Sequence, residues 1–233
     1  MAEISLSPGG ANQKERLLVF VDRTRNLFIH DIGPLFSGSE RRAISQKLAS
    51  QVSSFAWSDE CEILTAVSDK RLIAWFYPRA AFVDKDLLVL ASITKDAHDL
   101  GESPTIKSWE GSAIRIELED GSKIHSSVPQ FPSMLHNYVN KNQWDSALKL
   151  CRFLKSREYW GTLAGFSIHH SKLDIAETAL CALQTVDKVE YIKFIQSIPT
   201  IEVGPNETCV IHLRLKSLPG NSYLPILLCN SKH

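Results

Sequence analysis

The sequence predicts a mixed fold, β first and then α: the last blades of a β-propeller followed by a TPR-like α-solenoid. Three observations carry this. Short apolar runs separated by tight polar turns fill residues 17–129. The strands that follow the tight turns begin near Asn26, Arg71 and Ser122. Four short strands repeated at roughly 40–50 residues is the period of propeller blades, and these starting points keep it. Past Pro132 the apolar period changes from two to three or four. One constant shift then pairs Trp144 with Leu173, Asp145 with Asp174, Ala147 with Ala176 and Leu154 with Leu183. Helix–turn–helix units repeating at such a shift build solenoids.

Composition sets the outer bounds. The 233 residues are 44% hydrophobic, enough to bury a sizeable core. Lys and Arg total 26, as do Asp and Glu, so no global charge draws the chain to nucleic acid or an anionic membrane. Arg41-Arg42 is too short to count as a basic patch. Cys61, Cys151, Cys181, Cys209 and Cys229 are odd in number, with no C-x-x-C, and read as reduced thiols of an intracellular protein. "MAEISLSPGG" lacks the apolar core of a signal peptide, and no apolar run approaches a membrane span.

Residues 1–16 are polar with Gly, Ser and Pro, and are expected to form a disordered lead-in. "LLVFVDRTRNLFIHDI" is a hairpin of strands 17–22 and 27–32 around a turn at 23–26. Residues 33–42 are loop-like, and "AISQKLA" alternates weakly. The stretch "VSSFAWSDECEILTAVSDKRLIAWFYP" folds back on itself as strands 52–57, 62–68 and 71–76, with Asp69-Lys70 a tight turn and Pro78 a stop. "DLLVLASI", 86–93, fits a fourth strand. Strands 105–109, 113–118 and 122–127 follow, the last two joined by the hairpin turn "EDG". The total is about two and a half blades with open edges and faces. The helical repeats are expected to occupy 130–199, with helices over 134–141, 144–154, 158–169, 173–183 and 187–197. Gly161 and Gly165 are the only glycines among them. Residues 200–233 break this pattern with Pro, Gly and strand-like runs, and form a divergent tail.

Each residue type with chemical potential has a plain structural role. Trp75, like Trp57 and Trp109, is read as a core wedge in its blade. Asp69 is a turn residue bonding its own backbone rather than a catalytic carboxylate. His169-His170 diverge by about 100° on a helix, too far for joint metal ligation, and suit a helix C-terminus. Cys151 and Cys181 lie on apolar faces as buried filler. Tyr159 and Trp160 are adjacent aromatics, core or partner contact, of which one is free to be exposed. "GSKIH" lacks the second glycine and the helix of a phosphate loop. No catalytic, cofactor-binding or metal-ligating residue is therefore named, and no cofactor.

"SFAWSDECEILTAVSDKRLIAWFYP" resembles a WD-repeat blade, with Asp69 in the usual turn and Trp75 near the usual tryptophan. The block from "AWFYPRAAFVDKDLL" through "DGSKIHSSVPQFPSMLHNYVNKNQWDSALKLCRFLKSREYWGTLAGFSIHHSKLDIAETAL" to "DKVEYIKFIQSIP" is similar to the family of intraflagellar transport protein eighty, over roughly residues 17–199. The resemblance implies the end of a second propeller and the first helical repeats of a subunit of the IFT-B particle. It implies a non-enzymatic scaffold in the cytoplasm and the cilium, at the basal body and axoneme. The partners implied are other IFT-B subunits, with self-association through the helices, no nucleic acid and no integral membrane segment. The missing first propeller and the tail read as a truncated, alternatively spliced or mispredicted isoform. Vesicle-coat subunits also join propellers to solenoids and are the alternative; an enzyme is the third class, for which no convergent polar constellation argues.

Overall fold

A computed structural model describes residues 3–8, 16–32, 45–96, 100 and 104–197. Eleven strands among them form three antiparallel sheets. Sheet one runs β1 (Ile4–Leu6), β2 (Leu17–Val21), β3 (Leu27–Asp31) and β4 (Ser45–Ala49). Sheet two runs β5 (Val52–Trp57), β6 (Leu64–Ser68), β7 (Arg71–Trp75) and β8 (Ser92–Asp96). Sheet three has β9 (Thr105–Glu110), β10 (Ala113–Glu117) and β11 (Lys123–Ser127). Each is an up-and-down blade in sequence order.

Burial patterns place sheet two in the middle. β6 is buried at every position, because both its faces are covered. In β2 buried residues alternate with half-buried ones, and in β10 with exposed or half-buried ones. That is the pattern of sheets covered more fully on one face than the other. Hydrogen bonds join the blades: Val52 N donates to Arg25 O at 2.9 Å, and Ile106 N donates to the Ser54 hydroxyl at 3.0 Å. The β6–β7 turn holds Asp69 at φ +47° and Lys70 at φ +58°, the twist a two-residue hairpin needs. Asp69 is thus a turn residue, as expected. Its amide donates to Gln51 O at 3.3 Å, tying the turn to the preceding strand connection.

Two expectations change. Ile4–Leu6, placed in the disordered lead-in, pairs antiparallel with β2, Ser5 opposite Val19. So short a segment in a polar setting carries too little alternation to announce a strand. Residues 86–93 are not one strand. After Trp75 the chain makes two short helices, α1 (Ala80–Val83) and α2 (Lys85–Leu90), before β8 resumes the sheet at Ser92. The Asp84 carboxylate caps α2, accepting from Asp86 N at 3.0 Å. A short apolar run does not distinguish helix from strand by itself. The rest of the lead-in at 1–2 and 9–15, the loop expected at 33–42 and the tail at 200–233 lie outside the described residues.

Five helices follow: α3 (Phe131–Asn140), α4 (Trp144–Leu154), α5 (Arg157–His169), α6 (Leu173–Ala182) and α7 (Val186–Ser197). The repeat register read from the sequence holds at the turns. Asn142 and its counterpart Ser171 both have positive φ, at 55° and 56°; so do Lys155 and Gln184, at 53° and 60°. Gln143 N donates to Tyr138 O, and at the equivalent place in the second repeat Lys172 N donates to Ser167 O, both at 2.8 Å. Ala147 and Ala176 are fully buried, as are Cys151 and its counterpart Leu180. Cys181 is exposed rather than buried filler: it corresponds to Arg152 on the outward face. One continuous apolar cluster runs from Leu17 to Ile195, joining sheets to helices.

Candidate functional site: the sheet–helix junction

The insertion α1–α2 leaves sheet two and lies against α5, the central helix. Two glycines make this approach possible. A Cβ at Gly161 would stand 2.9 Å from both the carbonyl carbon and Cβ of Leu90. One at Gly165 would stand 2.9 Å from Cδ1 of Tyr77. Gly161 and Gly165, one helical turn apart, therefore form a groove that receives the end of α2 and the Tyr77 ring. The Tyr77 and Phe166 rings lie 4.0 Å apart, and Phe76 stacks on Tyr159 at 5.8 Å.

Polar groups lock the same seam. The Lys188 ammonium on α7 donates to the Asp84 carboxylate and, at 3.0 Å, to Asp86. Lys188 and Asp84 are both buried, so each charge depends on the other. Burial pulls the Lys188 pKa down, but hydrogen bonds and charge attraction from Asp84 and Asp86 outweigh it and hold it above the usual lysine value. Arg79 pairs bidentately with Glu62, Nε–Oε2 2.7 Å and Nη2–Oε1 2.9 Å. Burial again opposes the charge, and the Glu62 contacts win, raising the Arg79 pKa. His136 is buried in α3; its Nε2–H donates to Phe76 O at 2.7 Å. Burial pushes its pKa below the ordinary histidine value.

The residues weighed from sequence fall as follows. Trp57, Trp75 and Trp109 are buried, as blade wedges are. Tyr159 and Trp160 are both buried, so neither is left for a partner: α5 is packed on nearly every side and buries ten of its residues. His169 ends α5 and His170 caps it; both are exposed, and the His170 ring meets Trp144 edge-on. Burial pushes the Cys151 thiol up to about 12, which leaves it protonated at neutral pH. Among the described residues, no group of three or more His, Cys, Asp or Glu is placed to hold a metal, and no helix is long and apolar enough to cross a membrane. Sequence reasoning missed the junction. Its one available signal was the pair of glycines in an otherwise glycine-free helical stretch.

The family model described as the IFT80 second beta-propeller matches residues 1–131, more than half of the chain. The chain belongs to the IFT80 family. Its match to the propeller begins at residue 1, upstream of residue 17 where the resemblance starts, which agrees with β1 being part of sheet one. A second model, the IFT80/172/WDR35/WDR19 TPR domain, matches residues 159–217 and so continues past Pro199. The curated intraflagellar transport protein 80 homolog of Mus musculus is 35% identical over 202 residues, covering 87% of this chain and 25% of the relative. That of Rattus norvegicus is 34% identical over the same length and shares. The chain thus spans about a quarter of the length of the IFT80 relatives it matches, and it carries the propeller-then-solenoid arrangement of the family across the junction.

Proposed function

We propose that this chain is a non-enzymatic interaction scaffold of the IFT-B particle, part of the machinery that builds cilia and moves cargo along the axoneme. Its partners in this reading are other IFT-B subunits, and it works in the cytoplasm, at the basal body and in the cilium. Self-association through the helices belongs to the same reading, supported by the exposed Val186 and Phe194 on α7. No catalytic, metal or cofactor residue is assigned, and no nucleic acid. The observation that carries the reading is the joining of two IFT80-family domains by a buried, ion-paired seam. Such a seam holds two binding platforms at a fixed angle. The groups with chemical potential are spent on structure: His136 bonds a backbone carbonyl, and Cys151 is sealed in the core.

The test is affinity purification of the full chain, tagged, from ciliated cells with quantitative mass spectrometry. IFT-B subunits enriched over an untagged control support the proposal. Enrichment of Golgi or endosomal coat subunits instead would replace it with the vesicle-coat reading.

A further inference from the structure

The first helical repeat carries a basic surface that the second repeat lacks. Lys149, Arg152 and Phe153 lie within about 100° on the outward face of α4, Lys155 follows in the turn and Arg157 opens α5. All five are exposed, Phe153 at 79%, the highest among the exposed large hydrophobics of the described residues. None of the four cations is in an ion pair among the described residues. Residues 146–157 contain no carboxylate; Asp145, exposed one turn before Lys149, forms no ion pair with it among the described residues, and Glu158 accepts from the Ser156 hydroxyl.

The repeat itself argues against a structural role for these charges. Cations at a helix C-terminus can serve the helix dipole. Yet the equivalent positions of the second repeat are Thr178, Cys181, Ala182, Gln184 and Val186, and the same left-handed turn forms without a single charge. The fold does not require the cations or the exposed ring. We infer that this face of α4 docks an acidic segment of a partner protein, with Phe153 covered by an apolar side chain of that segment and the four cations facing its carboxylates. Charge complementarity chooses the partner. Within α4 the patch, from Lys149 to Phe153, spans about 6 Å along the helix axis, short for tracking a phosphate backbone. A single exposed ring in the patch offers little apolar area for burial in an anionic membrane.

The inference rests on the scaffold reading, and the two fail separately: loss of the patch leaves co-purification through other surfaces intact. The test uses the full chain and a fluorescein-labelled synthetic peptide repeating Glu-Glu-Leu-Leu, read by anisotropy. Lys149→Glu with Arg152→Glu is expected to weaken binding about tenfold or more, with wild-type binding falling as salt rises. Phe153→Ser should weaken it for this peptide and not for one repeating Glu-Glu-Ser-Ser. Lys155→Gln with Arg157→Val installs the residues of the second repeat and should weaken binding while leaving the thermal midpoint unchanged. Equal affinity for wild type and both double variants overturns the inference. So does capture of the wild-type chain by phosphatidylserine vesicles or polyuridylate when the peptide does not bind.

Discussion

Replacing Gly161 by alanine tests the seam at its tightest point. In an open helix this change adds about 1 kcal/mol of stability, because alanine restricts the unfolded chain and suits the helix. Here the new methyl would sit 2.9 Å from the Leu90 carbonyl carbon and Cβ and 3.0 Å from its oxygen. Carbon atoms in contact settle at about 3.5–4.0 Å, so α2 must retreat by most of an ångström. It is not free to: Lys188 holds Asp84 at one end, and Phe76 N donates to Ala91 O at 2.8 Å at the other. Overpacking of this kind costs about 1–3 kcal/mol. Against the propensity gain the net is a loss of about 1 kcal/mol, or about 2–4 °C in thermal midpoint for a chain of this size. The assay is thermal unfolding of the full chain followed by circular dichroism. A midpoint that rises in Gly161→Ala refutes the close approach of α2 to α5.

Lys188→Met leaves Asp84 buried without its cation and should cost about 3–5 kcal/mol in urea unfolding; adding Asp84→Asn should recover much of that. His136 gives the seam a pH response. Its folded pKa lies below the 6.5 of the unfolded residue, so its stabilisation is present above pH 6.5 and is lost as pH falls through the folded pKa. The slope is at most about 1.4 kcal/mol per pH unit, and His136→Gln should flatten it in urea titrations across that range. Ala147→Leu and Ala176→Leu overfill fully buried notches and should each cost about 1–3 kcal/mol by the same measurement, whereas Lys149→Ala on the surface should change stability by less than about 0.5 kcal/mol.

Local chemistry made most of the fold legible. The hairpin strands alternate, the glycine of "EDG" takes φ +80° in the β10–β11 turn, and the helical repeat shift matches turns the sequence never displays directly. Where reading failed, the deciding partner was distant in sequence. The run "DLLVLASI" is apolar enough for a strand. Its first half is helical because Asp84 caps it and α5, far downstream, covers it through Gly161. Lys188 on an outer helix looks like a solvated charge until Asp84, remote in the chain, is beside it. Cys181 sits among apolar neighbours in sequence but on the outward side of the repeat. The basic face of α4 was written in the sequence, yet only the repeat register shows that its counterpart is uncharged.

Amide hydrogen exchange of the full chain tests the sheet–helix junction most directly. If the insertion is clamped between Lys188 and α5, amides that bond within it, those of Asp84, Leu88 and Ala91, are protected to the same extent as the central turns of α5 and exchange with them as one unit. Fast exchange of 80–91 beside a protected α5 would mean that the insertion is an ordinary surface excursion, and that sheets and helices are not held as one scaffold.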